Sequence, residues 1–249
     1  MPIKNLVHMP HLMRASLSSV PAPVVYKGLN AQTLSRGRQM LNAKKTYIAG
    51  YKTTEDWNLL RQTLRPGDSP AVWAKVFRDY FEKRLSLRYL EPIKILQENG
   101  AFQGEGFSIV AIQCSLIEFL ESTVQGKSYR YRRRGSPPLG QHEYSESGKL
   151  FVNFLTSRTP FSLYFKEAVA HDFYESVRCG LLHEAQTKNG WTIWAKQPGH
   201  AVINVQRQII YRDNFQQAML RFVEWYEGEL VTDVVLQEAF IRKFDSLCV

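Results

Sequence analysis

The apolar residues of this chain recur at helical spacing in one segment after another, and that periodicity limits the possible folds more than any other feature. In "GDSPAVWAKVFRDYFEKRLSLRYLEPIKILQENG", Trp73, Val76, Phe77 and Tyr80 fall three or four positions apart, the repeat that lays a stripe along one helix face. Asp68 or Ser69 can cap the start, and Pro70 suits the first helical position, where no N–H is needed. Pro92 should kink or restart the helix, and Asn99-Gly100 should end it. "GFSIVAIQCSLIEFLEST" follows, with Phe107, Val110, Ala111, Cys114 and Ile117 on one stripe, so Cys114 reads as a small core residue. A short helical piece is expected near Lys149–Thr156, a break at Thr159-Pro160, and renewed helix through Val177. Phe215, Met219, Phe222 and Tyr226 line one closing helix, and Leu236, Phe240 and Phe244 line another. By contrast, "GWTIWAKQPGHAVINVQRQIIY" alternates, and Pro198-Gly199 suggests the turn of a small appended β-hairpin. The expected fold class is mainly α.

A chain of 249 residues, 44% of them hydrophobic, has enough apolar surface for a buried core. It contains no run of about 18 apolar residues, and the first 30 residues hold no continuous apolar stretch, so no membrane contact and a cytoplasmic location are expected. Cys114, Cys179 and Cys248 are widely spaced and include no CxxC, which argues against a disulfide framework or a zinc knuckle. No metal and no cofactor is expected. His171-Asp172 and His183-Glu184 carry metal-capable side chains, yet HExxH spacing is missing, and "GEGF" lacks the further glycines and the lysine of a phosphate loop.

The net charge of +9 is concentrated at one end: residues 1–54 hold eight Lys or Arg and no Asp or Glu, leaving 24 basic and 23 acidic residues in the rest. The chain is accordingly divided into a basic N-terminal extension or small subdomain, 1–66, and a helical domain, 67–249. Three readings of the basic segment stay open: a solubilising extension, a surface for nucleic-acid phosphates, and an organelle transit peptide whose amphipathic helix Pro2, Pro10, Pro21 and Pro23 would interrupt. A second basic run, "SYRYRRRG", lies in a Gly- and Pro-rich loop over 124–148 and gathers Arg130, Arg132, Arg133 and Arg134 around Tyr129 and Tyr131. Such a run is either a solvated face or an RNA-binding patch, in which tyrosines stack bases and arginines hold phosphates.

"FYESVRCGLLHEA" places Arg178 and His183 on an amphipathic helix whose core stripe holds Val169, Phe173, Val177, Leu181 and Ala185. On a continuous α-helix the two stand about 140° apart, so one copy of the pair converges poorly on a single small group. Gly180 is costly inside a helix by roughly 1 kcal/mol relative to alanine. It can permit a local departure from helix or the close approach of another backbone, or serve as a plain packing contact with a neighbouring helix. A second subunit meeting this surface could supply its own Arg and His. Glu118 and Glu121 either contact the basic pair within the bundle or are ordinary solvated carboxylates.

These residues resemble the signature of the HEPN superfamily (higher eukaryotes and prokaryotes nucleotide-binding domains), an Arg followed after four to six residues by a His on a late helix of a helical bundle. The resemblance covers roughly residues 70–249. It implies a HEPN-like bundle, a homodimer with both motif copies lining one cleft, and a metal-independent endoribonuclease with Arg178 and His183 as catalytic residues and RNA as substrate. A toxin or defence role, with an inhibitory partner protein, would fit. Cys179 departs from the polar residue that many members carry after the arginine. A catalytically silent module binding nucleotide, RNA or protein is therefore the alternative, and a basic nucleic-acid-binding protein relying on residues 1–54 and 127–134 is a third reading.

Overall fold

A small hairpin and a capped helix open the described part of the chain. The computed structural model describes residues 45–100 and 104–248. Strand β1 (Tyr47–Ala49) pairs antiparallel with β2 (Lys52–Thr53), and helix α1 (Thr54–Arg61) follows directly. Thr53 caps α1 reciprocally: its hydroxyl accepts the Asp56 N–H at 3.3 Å, and the Asp56 carboxylate accepts the Thr53 N–H at 2.8 Å. Trp57 is buried and donates to Asp245 at 2.8 Å, and Arg61 pairs with the same carboxylate at 3.2 Å.

The chain divides into two units, Met1–Lys44 and Lys45–Val249. Residues 45–66, grouped from sequence with the basic extension, thus belong to the helical unit, because Trp57 and Leu64 are needed in its core. The first unit, and with it most of the basic N-terminal segment, lies outside the described residues.

Helical turns then run from α2 (Pro70–Val76) through a wide π-helical stretch, Phe77–Glu82, to α3 (Lys83–Leu85), a second wide stretch, Ser86–Leu90, and α4 (Glu91–Glu98). Ser69 occupies the cap position and Pro70 the first turn, while Asp68 accepts the Arg65 N–H at 2.7 Å and closes the preceding turn. Pro92 does not break the run. It follows the wide turn Ser86–Leu90, where looser winding makes room for a ring that would crowd the carbonyl four residues back. Asn99 ends the helix, its amide donating to the Ile95 carbonyl at 3.0 Å.

Helix α5 (Glu105–Val124) runs through the core. Among the described residues it is the helix long and apolar enough to cross a membrane, but its Ile109, Val110, Cys114, Ile117 and Leu120 are buried by neighbouring helices. Phe107, expected on the inner stripe, is exposed. Strands β3 (Ser128–Tyr129) and β4 (Glu143–Tyr144) then pair in parallel inside the region read as loop.

Helix α6 (Ser147–Ser157), a 3₁₀ turn at Phe161–Leu163, and α7 (Glu167–Phe173) lead into a third wide stretch, Tyr174–Cys179, which continues as α8 (Gly180–Glu184). A three-stranded sheet follows, β5 (Thr192–Trp194), β6 (Ile203–Asn204) and β7 (Ile209–Tyr211), in the order β5-β7-β6. The expected hairpin exists as β6–β7, but its turn is at residues 205–208. Pro198-Gly199 instead shapes the connection that carries the chain from β5 to β6, so that β5 can pair in parallel with β7. Helices α9 (Arg212–Leu230) and α10 (Val234–Ser246) close the unit, the latter capped by Asp233, which accepts the Val235 and Leu236 N–H groups at 2.7 and 3.1 Å. Aromatic pairs such as Trp57–Phe244 at 5.2 Å and Phe154–Phe222 at 4.8 Å bind these helices to the rest. The fold is mainly helical.

Candidate functional site

Asp172, Ser176 and Gly180 follow one another at four-residue spacing, and the chain leaving α8 folds back onto all three. Trp191 donates its indole N–H to Asp172 at 2.8 Å, Asn189 donates to the Ser176 hydroxyl at 2.9 Å, and the Lys188 N–H reaches the Ser176 carbonyl at 2.8 Å. At Gly180 a methyl group would stand 2.6 Å from the Gln186 carbonyl oxygen, closer than any real contact. Glycine is therefore required by the chain's own return over this position, not by a neighbouring helix. The reversal is made at Ala185, which takes a left-handed conformation with φ 55°.

The wide winding of Tyr174–Cys179 displaces Arg178 from the position a continuous α-helix would give it. Its guanidinium lies 3.9 Å from the Glu118 carboxylate on α5, 5.3 Å over the Tyr174 ring and 3.9 Å from the Cys179 sulfur. Glu118 is not a free solvated carboxylate: its other oxygen accepts the Tyr144 hydroxyl at 2.9 Å and the Ser147 hydroxyl at 2.8 Å. Burial, with the Glu118 charge beside it, pushes the Tyr144 phenol above its ordinary range, and burial does the same for Tyr174. Both stay neutral at physiological pH. Cys114, on the buried side of α5, is pushed up to about 12 by burial and is inert as a nucleophile.

His183 stands on the exposed side, two residues before the reversal, and makes no hydrogen bond or ion pair among the described residues. His183 is not among the recorded partners of Arg178, which are Glu118, Tyr174 and Cys179. Glu121 belongs to neither residue. It is fully buried and accepts the Arg158 guanidinium through two bonds, at 2.8 and 2.9 Å, together with the Asn153 amide at 2.6 Å. Among the described residues no three His, Cys, Asp or Glu side chains gather in a way that could hold a metal ion.

The four arginines of the basic loop divide into two kinds. Arg130 pairs with Glu143 at 2.7 Å and donates to the Pro138 and Pro137 carbonyls at 3.2 and 3.3 Å, so it braces the loop. Arg132, Arg133 and Arg134 are exposed and form no ion pair among the described residues. The β3–β4 ladder sets Tyr129 edge-on to Tyr144 at 5.6 Å, and Tyr144 holds Glu118. The root of the basic loop is thereby joined to Arg178 through Tyr144 and Glu118. Beside this junction Ser145, Ser147, Gly148, Lys149, His171 and Tyr174 line an open groove of about 500 Å³.

The chain fits no family model, and neither a curated protein nor a solved structure matches it. The HEPN resemblance rests on the chain's own residues alone. Of the groups around Arg178, Tyr174 was readable as an aromatic one helical turn before an arginine. Tyr144 and Ser147 carried no such signal, since only the tertiary packing of α5 brings them to Glu118.

Proposed function

We propose that this protein is a HEPN-like helical bundle that binds RNA in the cytoplasm and cleaves it without a metal, as a homodimer whose two Arg178–His183 pairs face one cleft. The observation that carries the reading is the fixed position of Arg178. It is oriented by Glu118 and Tyr174 while Glu118 is itself held by the root of an arginine loop. An always-charged guanidinium anchored on one side can hold the non-bridging oxygens of a phosphodiester on the other. His183 is exposed and makes no hydrogen bond or ion pair among the described residues, and imidazole is the side chain that most often transfers protons in such reactions.

In the reaction the 2′-oxygen attacks the adjacent phosphorus while one His183 takes its proton. The partner's His183 gives a proton to the departing 5′-oxygen, and Arg178 stabilises the charge on the crowded phosphorus centre. The products are a 2′,3′-cyclic phosphate and a 5′-hydroxyl. A dimer is necessary to this scheme because it uses two His183 side chains, one as base and one as acid. Sedimentation should find a dimer, and Arg178→Ala and His183→Ala should each lower cleavage at least 100-fold with the circular dichroism unchanged. Full activity in both variants would defeat the mechanism.

The second reading, a silent RNA-binding module, is favoured by one observation: Glu118 at 3.9 Å already answers the Arg178 charge. A dimer that binds RNA, yields no cleaved ends, and gains none when Glu118 is changed to Gln would decide for it.

A further inference from the structure

On the flank of α5 next to Glu118, two partly or fully buried cations face one aromatic ring. The Arg84 guanidinium lies 5.2 Å and the Lys243 ammonium 5.6 Å from the centre of the Phe119 ring. Lys243 is only 6% exposed. Each makes a single hydrogen bond to a backbone carbonyl, Arg84 to Ile48 at 2.6 Å and Lys243 to Lys127 at 3.0 Å. Among the described residues neither forms an ion pair, although a buried charge is ordinarily paired. Arg84 retains four unused N–H donors and Lys243 two. Burial first, and like charge next, pull both below their ordinary ranges, Arg84 to about 10 and Lys243 to about 8; Glu118 is the carboxylate that favours the charged form of Lys243.

We propose that Arg84 and Lys243, with Phe119 between them, form an anion site that takes a phosphoryl group. A tetrahedral dianion would supply the acceptors that both side chains lack and cancel the charge they hold out of water. The ring is an added support for the cations, not a competitor for the ligand. The site uses none of the recorded partners of Arg178, and the proposal stands whether or not Arg178 takes part in RNA cleavage.

The test is thermal unfolding of the full chain in inorganic phosphate against chloride of equal ionic strength, with Lys243→Met, Arg84→Met and Arg178→Ala run alongside. A short single-stranded DNA, which lacks the 2′-hydroxyl and so survives any ribonuclease, serves as the polymeric source of phosphate. The expected result is a phosphate-specific rise in Tm of several degrees in Arg178→Ala, where the phosphate contact proposed for Arg178 is gone, and its loss when Lys243→Met or Arg84→Met is added to Arg178→Ala. Because general salt effects act equally on all variants, only the difference between them counts. Lys243→Met removes an uncompensated buried charge and should fold at least as stably as the parent in chloride, which keeps its loss of response interpretable. A matching response to DNA marks a site for backbone phosphate, and a response to phosphate alone marks a free phosphate or monoester site. A rise that survives when Lys243→Met is added to Arg178→Ala, or no rise in Arg178→Ala itself, would overturn the proposal.

Discussion

At Gly180 an added methyl would meet the Gln186 carbonyl at 2.6 Å, so Gly180→Ala must push the return loop away from Ser176 and Asp172. Helix propensity alone predicts a gain of roughly 1 kcal/mol from this change. The clash predicts a net loss of about 1–3 kcal/mol, and urea unfolding reads the sign. Glu121 makes a sharper case: removing it strands Arg158 beside a buried site, and Glu121→Ala should cost about 3–5 kcal/mol in the same assay. Lys243 makes stability depend on alkaline pH. Its proton leaves the native state near pH 8 but the unfolded chain near 10.5, so between these values the unfolded state binds more protons and stability rises with pH. The gain, up to about 3 kcal/mol, is present above 10.5 and lost as pH falls through 8. Cys114 and Tyr144, whose values are raised, act in the opposite sense, so the quantity to measure is the pH dependence of the parent minus that of Lys243→Met.

Among elements, α1 shows how little local signal is needed and how easily it is missed. Thr53-x-x-Asp56 is a capping box with aspartate in the usual glutamate position, and Thr53→Ala should lower stability by about 1 kcal/mol in thermal unfolding. The long helices were legible because burial on one face forces a repeat of three to four residues, as at Trp73, Phe77 and Tyr80. The wide turns at Phe77–Glu82, Ser86–Leu90 and Tyr174–Cys179 were not, since one looser turn leaves apolar spacing almost unchanged over a short window. Pro198-Gly199 misled for a related reason: a turn-forming pair says where the chain bends, not which strands the bend joins.

Over the molecule as a whole, the boundary between units could not be read from charge. Acidic residues begin at Glu55, but the second unit begins at Lys45, and in it β1 and α1 bury Ile48, Ala49 and Trp57 regardless of the charge between them. Arg178 and His183 were visible as a spaced pair in the sequence. Of their surroundings, Glu118 was one of the contacts weighed, but Tyr144 and Ser147 were not visible, because they lie on a separate stretch that only packing brings to Glu118. The central claim is that this surface cleaves RNA when two copies meet. The most direct measurement is incubation of the purified protein with labelled RNA in EDTA, with chemical identification of the product ends. The proposed reaction yields 2′,3′-cyclic phosphate and 5′-hydroxyl ends, produced by the parent and lost in His183→Ala. Intact RNA after incubation with a folded dimer, or 3′-hydroxyl ends that require added metal, would contradict it.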